Sequence, residues 1–138
     1  MRKFHNQLKP KRKNNTTCPT EYQEQCAVAK YMHTFYPGML WFATGNGIRV
    51  GIGLAVKFKR QGCNKGAPDL IFLEPIEGYH GLCIEMKREK GGSVSPEQKA
   101  WLASLNSSGY RAVICKGFEA AKSVIDDYFG GRHGKTKP

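Results

Sequence analysis

No run of apolar residues approaches the roughly 20 needed to cross a bilayer, so no transmembrane helix is expected. The N-terminus is basic, but no apolar stretch follows it, which argues against a secretory signal. No Cys-x-x-Cys pair occurs; Cys18, Cys26, Cys63, Cys83 and Cys115 are odd in number and widely spaced. That pattern speaks against a disulfide framework or a zinc site and fits reduced thiols in a cytoplasm. His5, His33, His80 and His133 are scattered without metal-ligand spacing. A glycine-rich loop with P-loop spacing is missing too, so a nucleotide-driven motor is not expected. There is no internal repeat. Acid is also scarce, with 11 Asp and Glu against 22 Lys and Arg, a formal charge of +11.

That imbalance favours a polyanionic partner, with nucleic acid first and anionic lipid or mere solubility as the plainer alternatives. The chain has 138 residues, 40% of them hydrophobic, enough for one domain with a real core. Residues 1–19 carry Arg2, Lys3, Lys9, Lys11, Arg12 and Lys13 without an acid, and read as a basic, flexible arm. Residues 130–138, glycine-rich and basic, read as a similar tail. The folded domain is expected over 20–129.

Thr20 and Gln23 form a capping-box pattern, which predicts a helix from Glu21 to Phe35. Glu21, Gln25, Val28, Met32 and Phe35 share its predicted inner stripe, with Glu24 on a solvated flank. Met39–Ala43 reads as a short strand. The glycine-rich stretch 44–66 reads as a loop with one helical segment near 52–61. Asp69–Glu74 and His80–Lys87 read as a hairpin around the turn residues Pro75–Gly78. Ser95 as cap, Pro96 and Gln98 open another helix, with Gln98, Trp101, Leu102 and Leu105 along its inner side. Trp101 reads as a core residue rather than a base-stacking platform. A strand at Arg111–Cys115 and a helix through Phe118, Ala121, Ile125 and Tyr128 complete the order. The expected fold class is α/β, a central mixed sheet of about four strands flanked by helices.

Chemistry concentrates in "GLCIEMK" (81–87). Strand alternation sends Glu85 and Lys87 to one face, and the predicted hairpin sets Asp69 roughly opposite Glu85. Two carboxylates brought together repel unless a cation holds them, and the Met86 backbone carbonyl can add a third oxygen. All-oxygen donors with positions left for water and phosphate suit Mg²⁺ or Mn²⁺. Such an ion polarises a phosphodiester and lowers the pKa of a water it binds. Lys87 beside it can orient that water or stabilise charge on the phosphate. Glu-x-Lys alone is a weak signal, because surface pairs of this kind mostly contribute little.

In order along the chain, "TEYQEQ" (20–25), "GNGIR" (45–49), "KRQGCNKGAPDLIF" (59–72), "GLCIEMK" (81–87), "SPEQKAWL" (95–102) and "GYRAVIC" (109–115) resemble the virus-type replication-repair nuclease (VRR-NUC) family. This is a branch of the PD-(D/E)xK, restriction-endonuclease-like superfamily, and the likeness is to its stand-alone, phage-type members. The resemblance implies a restriction-endonuclease-like core and a divalent-metal phosphodiesterase. By position, Asp69 and Glu85 match the metal-binding acids, Lys87 the catalytic lysine and Gln98 the glutamine opening the next helix. The first-helix acid is Glu21 or Glu24; the family pattern favours Glu21, as a metal partner directly or through water. Gln98 has an equal claim to be only the capping-box partner of Ser95. Arg49 and Lys59 match basic positions of a variable loop. With Lys57, Arg60 and Lys65 they are the expected DNA-backbone contacts. Relatives tend to carry proline where this chain has Gly45.

The expected activity is a structure-specific DNA endonuclease on Holliday junctions or other branched DNA. Expected with it are a homodimer that sets two sites on opposed strands and a cytoplasmic location. The alternative is a non-catalytic nucleic-acid-binding domain that keeps the fold.

Overall fold

A computed structural model describes residues 18–130. The basic arm and tail therefore lie outside the described residues, apart from Cys18, Pro19 and Gly130. The elements are α1 (Glu21–Phe35), β1 (Trp41–Ala43), α2 (Ile52–Arg60), β2 (Leu70–Phe72), β3 (Leu82–Lys87), α3 (Pro96–Ser107), β4 (Arg111–Lys116) and α4 (Phe118–Phe129). The strands form one sheet in the order β1-β2-β3-β4; the first three are antiparallel and β4 runs parallel to β3. The connection between the parallel pair is α3, as a parallel crossover requires. This is the expected α/β class with a mixed sheet of four strands.

The starts of α1 and α3 follow from local sequence. Thr20 and Gln23 close a reciprocal capping box on α1, and Ser95 and Gln98 do the same on α3, with Pro96 at the first turn. Two layers of side chains hold the helices to the sheet. Leu82, Ile84 and Met86 of β3 join Leu70 and Phe72 of β2 under α1 and α4, packed against Val28, Met32, Ile125 and Phe129. On the opposite face Cys83 and Ala112 meet Leu102, with Ile71 and Leu105 against them. Full burial of side chains of this size contributes roughly 1.5–3 kcal/mol each. Cys83 and Cys115 are buried, as expected, and all five cysteines are unpaired. Trp101 is only half-buried and sits outside both clusters.

The inner stripe of α1 differs from the expected one. Glu24, Val28, Tyr31 and Met32 are buried, whereas Phe35 is exposed and Gln25 only partly covered. Glu24 is not solvated: it is 6% exposed, and its Oε2 accepts from Phe118 N at 2.7 Å. The reason is α4, whose N-cap, Gly117, has no side chain to offer. Glu24 supplies both the acceptor and the negative charge that the start of a helix favours. Tyr31 and Tyr36 hydroxyls each donate to Asp126 Oδ1 at 2.6 Å and bind the same two helices further along. Replacing Glu24 by alanine is expected to lower stability by about 2 kcal/mol, because it orphans a helix N-terminal N–H and removes a partly buried charge. Glu24→Gln, which keeps an acceptor, should lose less than half of that. Urea titration of both variants at unchanged m-value checks it; equal losses would mean that packing, not capping, is the contribution.

Candidate active site

The register of β2 on β3 pairs Leu70 with Ile84, which puts Asp69 opposite Glu85 just beyond the paired residues. Asp69 also turns inward, and its Oδ2 accepts from Met86 N at 2.8 Å. At the two ends of β3, Gly81 and Lys87 carbonyls accept from Arg111 N and Gly117 N. Odd-numbered residues of β3 therefore bond toward β4, and Met86 turns its peptide groups toward β2. Since β2 begins at Leu70, the Met86 carbonyl faces the side where Asp69 stands.

Glu85 and Lys87 share the α3 face of the sheet and are not a solvated pair. They are 1% and 6% exposed, and Lys87 Nζ donates to Glu85 Oε1 at 2.9 Å. Gln98 does two things at once: its Oε1 accepts from Ser95 N at 2.9 Å, while its Nε2 donates to Glu85 Oε1. The capping box and the site contact thus share one side chain, with opposite ends of the amide assigned to each. Glu21, one helical turn before Glu24, holds its Oε2 3.8 Å from Lys87 Nζ. Glu21, Asp69, Glu85, Lys87 and Gln98 line one cavity of about 400 Å³, with Asn46, Gly66 and Lys65 on its wall.

The electrostatics follow from this enclosure. Burial, then the charge of Glu85, push the Asp69 carboxyl up to about 7. Burial also raises Glu85, against the lowering effect of Lys87. For Lys87 burial favours the neutral amine, but the bond to Glu85 and the charges of Glu85, Glu21 and Asp69 outweigh it and raise its pKa. Each buried acid keeps one oxygen, Asp69 Oδ1 and Glu85 Oε2, without a hydrogen-bond partner among the described residues, and among these residues neither oxygen is sealed from solvent. Two under-compensated carboxylates with open oxygens fit a hard divalent cation, with the Met86 carbonyl beside them. Among the described residues no three His, Cys, Asp or Glu side chains cluster as a ready metal cage.

The other expected cations are placed differently. Lys65 lines the cavity, where its Nζ meets Glu97 at 3.1 Å in an exposed pair. Arg49, Lys57, Lys59 and Arg60 stand exposed along the excursion that carries α2, outside the cavity. Gly45 has φ +73°, which a proline ring forbids, so the chain enters this loop by a route that proline could not take. Gly66 is pressed on α3: a Cβ there would lie 2.7 Å from the Glu97 carbonyl carbon and 2.9 Å from Gln98 N. Asn46 had no assigned role in the sequence reading. An asparagine between glycines reads as turn chemistry, and nothing local signals that its side chain reaches residues 64 and 67.

No helix among the described residues is long and apolar enough to cross a membrane. No curated protein matches the chain. A solved structure described as a VRR_NUC domain protein is similar, at 30% identity and TM-score 0.68, over 83% of this chain and 92% of that one. The VRR-NUC domain itself matches over residues 20–119, a span that contains Glu21, Asn46, Asp69, Glu85, Lys87 and Gln98. On that match and that likeness, the chain belongs to the VRR-NUC family, with its nuclease-type fold.

Proposed function

We propose that the protein is a Mg²⁺- or Mn²⁺-dependent endonuclease that hydrolyses DNA phosphodiesters, with branched DNA such as four-way junctions preferred. The observation that carries this reading is the buried Lys87–Glu85 pair set beside Asp69 in one cavity. Asp69, Glu85 and the Met86 carbonyl are the residues to hold the cation, with Glu21 further out. Bound there, a divalent ion supplies charge neutralisation at the phosphate and a more acidic water. Lys87, with its raised pKa, keeps its proton at neutral pH and works as a donor and fixed charge rather than a base. One of its N–H groups is spent on Glu85, which leaves others for a phosphate oxygen or the attacking water. Gln98 holds Glu85 Oε1 by a hydrogen bond, which leaves the other oxygen of Glu85 for the cation.

A homodimer is the proposed working form. Its support is α2, a nine-residue helix with no buried residue, whose Ile52 is 87% exposed; Ile48, Leu54, Val56 and Phe58 are exposed as well. Helices this short are marginal without tertiary packing, and a second copy would cover these side chains. The exposed Lys57, Lys59, Arg60 and Arg49 beside them are the proposed contacts to DNA phosphates, so binding should weaken steeply with salt.

The test is cleavage of a panel of linear, flapped and four-way DNAs with Mg²⁺ or Mn²⁺, with the mass of the active species measured alongside. Junction cutting by a dimer is the expected result. Binding to every DNA with no cutting would give the site to a nucleic-acid-binding domain that keeps the nuclease fold. Cutting by a monomer would remove the dimer and leave the chemistry standing.

A further inference from the structure

Residues 51–65 are exposed without exception, and the excursion that bears α2 joins neither core cluster among the described residues. Besides the exposed Lys65–Glu97 pair, hydrogen bonds at its neck tie it to the sheet. Thr44 N donates to Asp69 O at 2.9 Å, and Thr44 Oγ1 donates to Pro68 O at 2.7 Å. Thr44 Oγ1 in turn accepts from Asn46 N at 3.4 Å. The Asn46 amide then spends both hydrogens on the far side of the neck, on Ala67 O at 2.8 Å and Asn64 O at 3.1 Å. Those two carbonyls bracket the turn that leads through Pro68 into Asp69. Gly66 in the same turn is wedged against the backbone of Glu97 and Gln98. The segment before Asp69 is therefore clamped between Asn46 on one side and the start of α3 on the other. Asn46 also lines the cavity that holds Asp69 and Glu85.

We propose that Asn46 is a positioning residue for the cation site: by donating to Asn64 O and Ala67 O it fixes the turn that presents Asp69 to Glu85. It touches no reacting atom and acts through the backbone of residues 64–68. The inference rests on the metal-site reading given above. Removing a partner bonded directly to a metal ligand typically changes metal affinity by 10–100-fold, so the lower end of that range is expected for one that acts through the backbone.

The experiment is Mn²⁺ binding, by calorimetry and by electron paramagnetic resonance of the free ion, to the full chain without DNA. Wild type, Asn46→Ala, Asn46→Asp and Thr44→Val are compared, each first melted without metal to show that it folds. Asn46→Asp is the decisive variant. It is nearly isosteric, loses both donated hydrogen bonds and adds a carboxylate to the cavity wall. If Asn46 were a bystander, that extra negative charge would leave Mn²⁺ binding unchanged or tighten it. Positioning predicts the opposite, about tenfold weaker binding in Asn46→Asp and Asn46→Ala, with a smaller loss in Thr44→Val. Wild-type affinity in folded Asn46→Ala, or tighter binding in Asn46→Asp, overturns the proposal. Wild type that takes up no Mn²⁺ overturns the metal site and this inference with it. Wild type that binds Mn²⁺ but cuts no DNA overturns the nuclease reading alone, since the Asn46 comparison is read without cleavage.

Discussion

Replacing Lys87 by methionine is expected to reduce cleavage by at least 10²–10³-fold, about the loss seen when one preorganised donor to developing charge is removed. The same change has a second effect of a different kind. Glu85 is 1% exposed, and without the ammonium at 2.9 Å its charge is left with Gln98 as its only side-chain hydrogen-bond partner among the described residues. Breaking a buried ion pair by removing one member costs about 3–5 kcal/mol, so the single variant should also be less stable. The double variant Glu85→Gln/Lys87→Met separates the two effects. With neither charge present, most of the lost stability should return, because two neutral partners of similar shape leave no orphaned ion. Cleavage should not return. Denaturant titration and single-turnover cleavage on the same three proteins decide it. A folded Lys87→Met that cuts at the wild-type rate would take Lys87 out of the chemistry. A double variant no more stable than the single one would mean that the pair's burial is not the source of the cost.

The second large effect concerns pH and Asp69. Burial and the neighbouring Glu85 raise its carboxyl to about 7, from an ordinary value of 3.8. A carboxyl raised in this way binds its proton more tightly in the folded chain than in the unfolded one. Its contribution to stability is therefore full below about pH 4 and is lost as the pH rises through 7. Glu85, raised in the same direction, adds to the decline. The metal-free protein should thus lose stability between pH 4 and 7.5, and added Mn²⁺ should restore it by binding the ionised acids. Asp69→Asn keeps an oxygen for Met86 N but carries no charge to bury. At pH 8 without metal it is expected to be more stable than wild type by about 1 kcal/mol, or roughly 3–6 °C in Tm. Its melting temperature should no longer rise with Mn²⁺. Melts from pH 4 to 8, with and without Mn²⁺, measure all of this. An Asp69→Asn variant less stable than wild type at pH 8 would show that the Asp69 carboxylate stabilises the fold, contrary to the burial argument.

The elements were legible in the sequence wherever the cause was local. Thr20-x-x-Gln23 and Ser95-Pro96-x-Gln98 place two helix starts to the residue because capping needs only neighbours along the chain. Strand alternation put Glu85 and Lys87 on one face, and the turn at Pro75–Gly78 brought Asp69 opposite Glu85, as the register shows. The inner side of α1 was misread for the opposite reason. Glu24 and Tyr31 look like surface residues by type, and their burial depends on α4, nearly a hundred residues downstream. Asn46 was missed on the same ground, since its partners lie at 64 and 67 across an excursion of the chain.

By itself, then, the sequence determined the α/β order, the helix caps, the family likeness and the pairing of an acid-x-lysine strand with an acid across a hairpin. These are set by periodicity and by contacts close in the chain. Only the tertiary structure decided which first-helix acid meets Lys87: Glu21 approaches it, while Glu24 caps α4. It also decided that Gln98 serves Ser95 and Glu85 together. These outcomes turn on where separate helices come to rest against one sheet, and no pattern along a single segment encodes that distance.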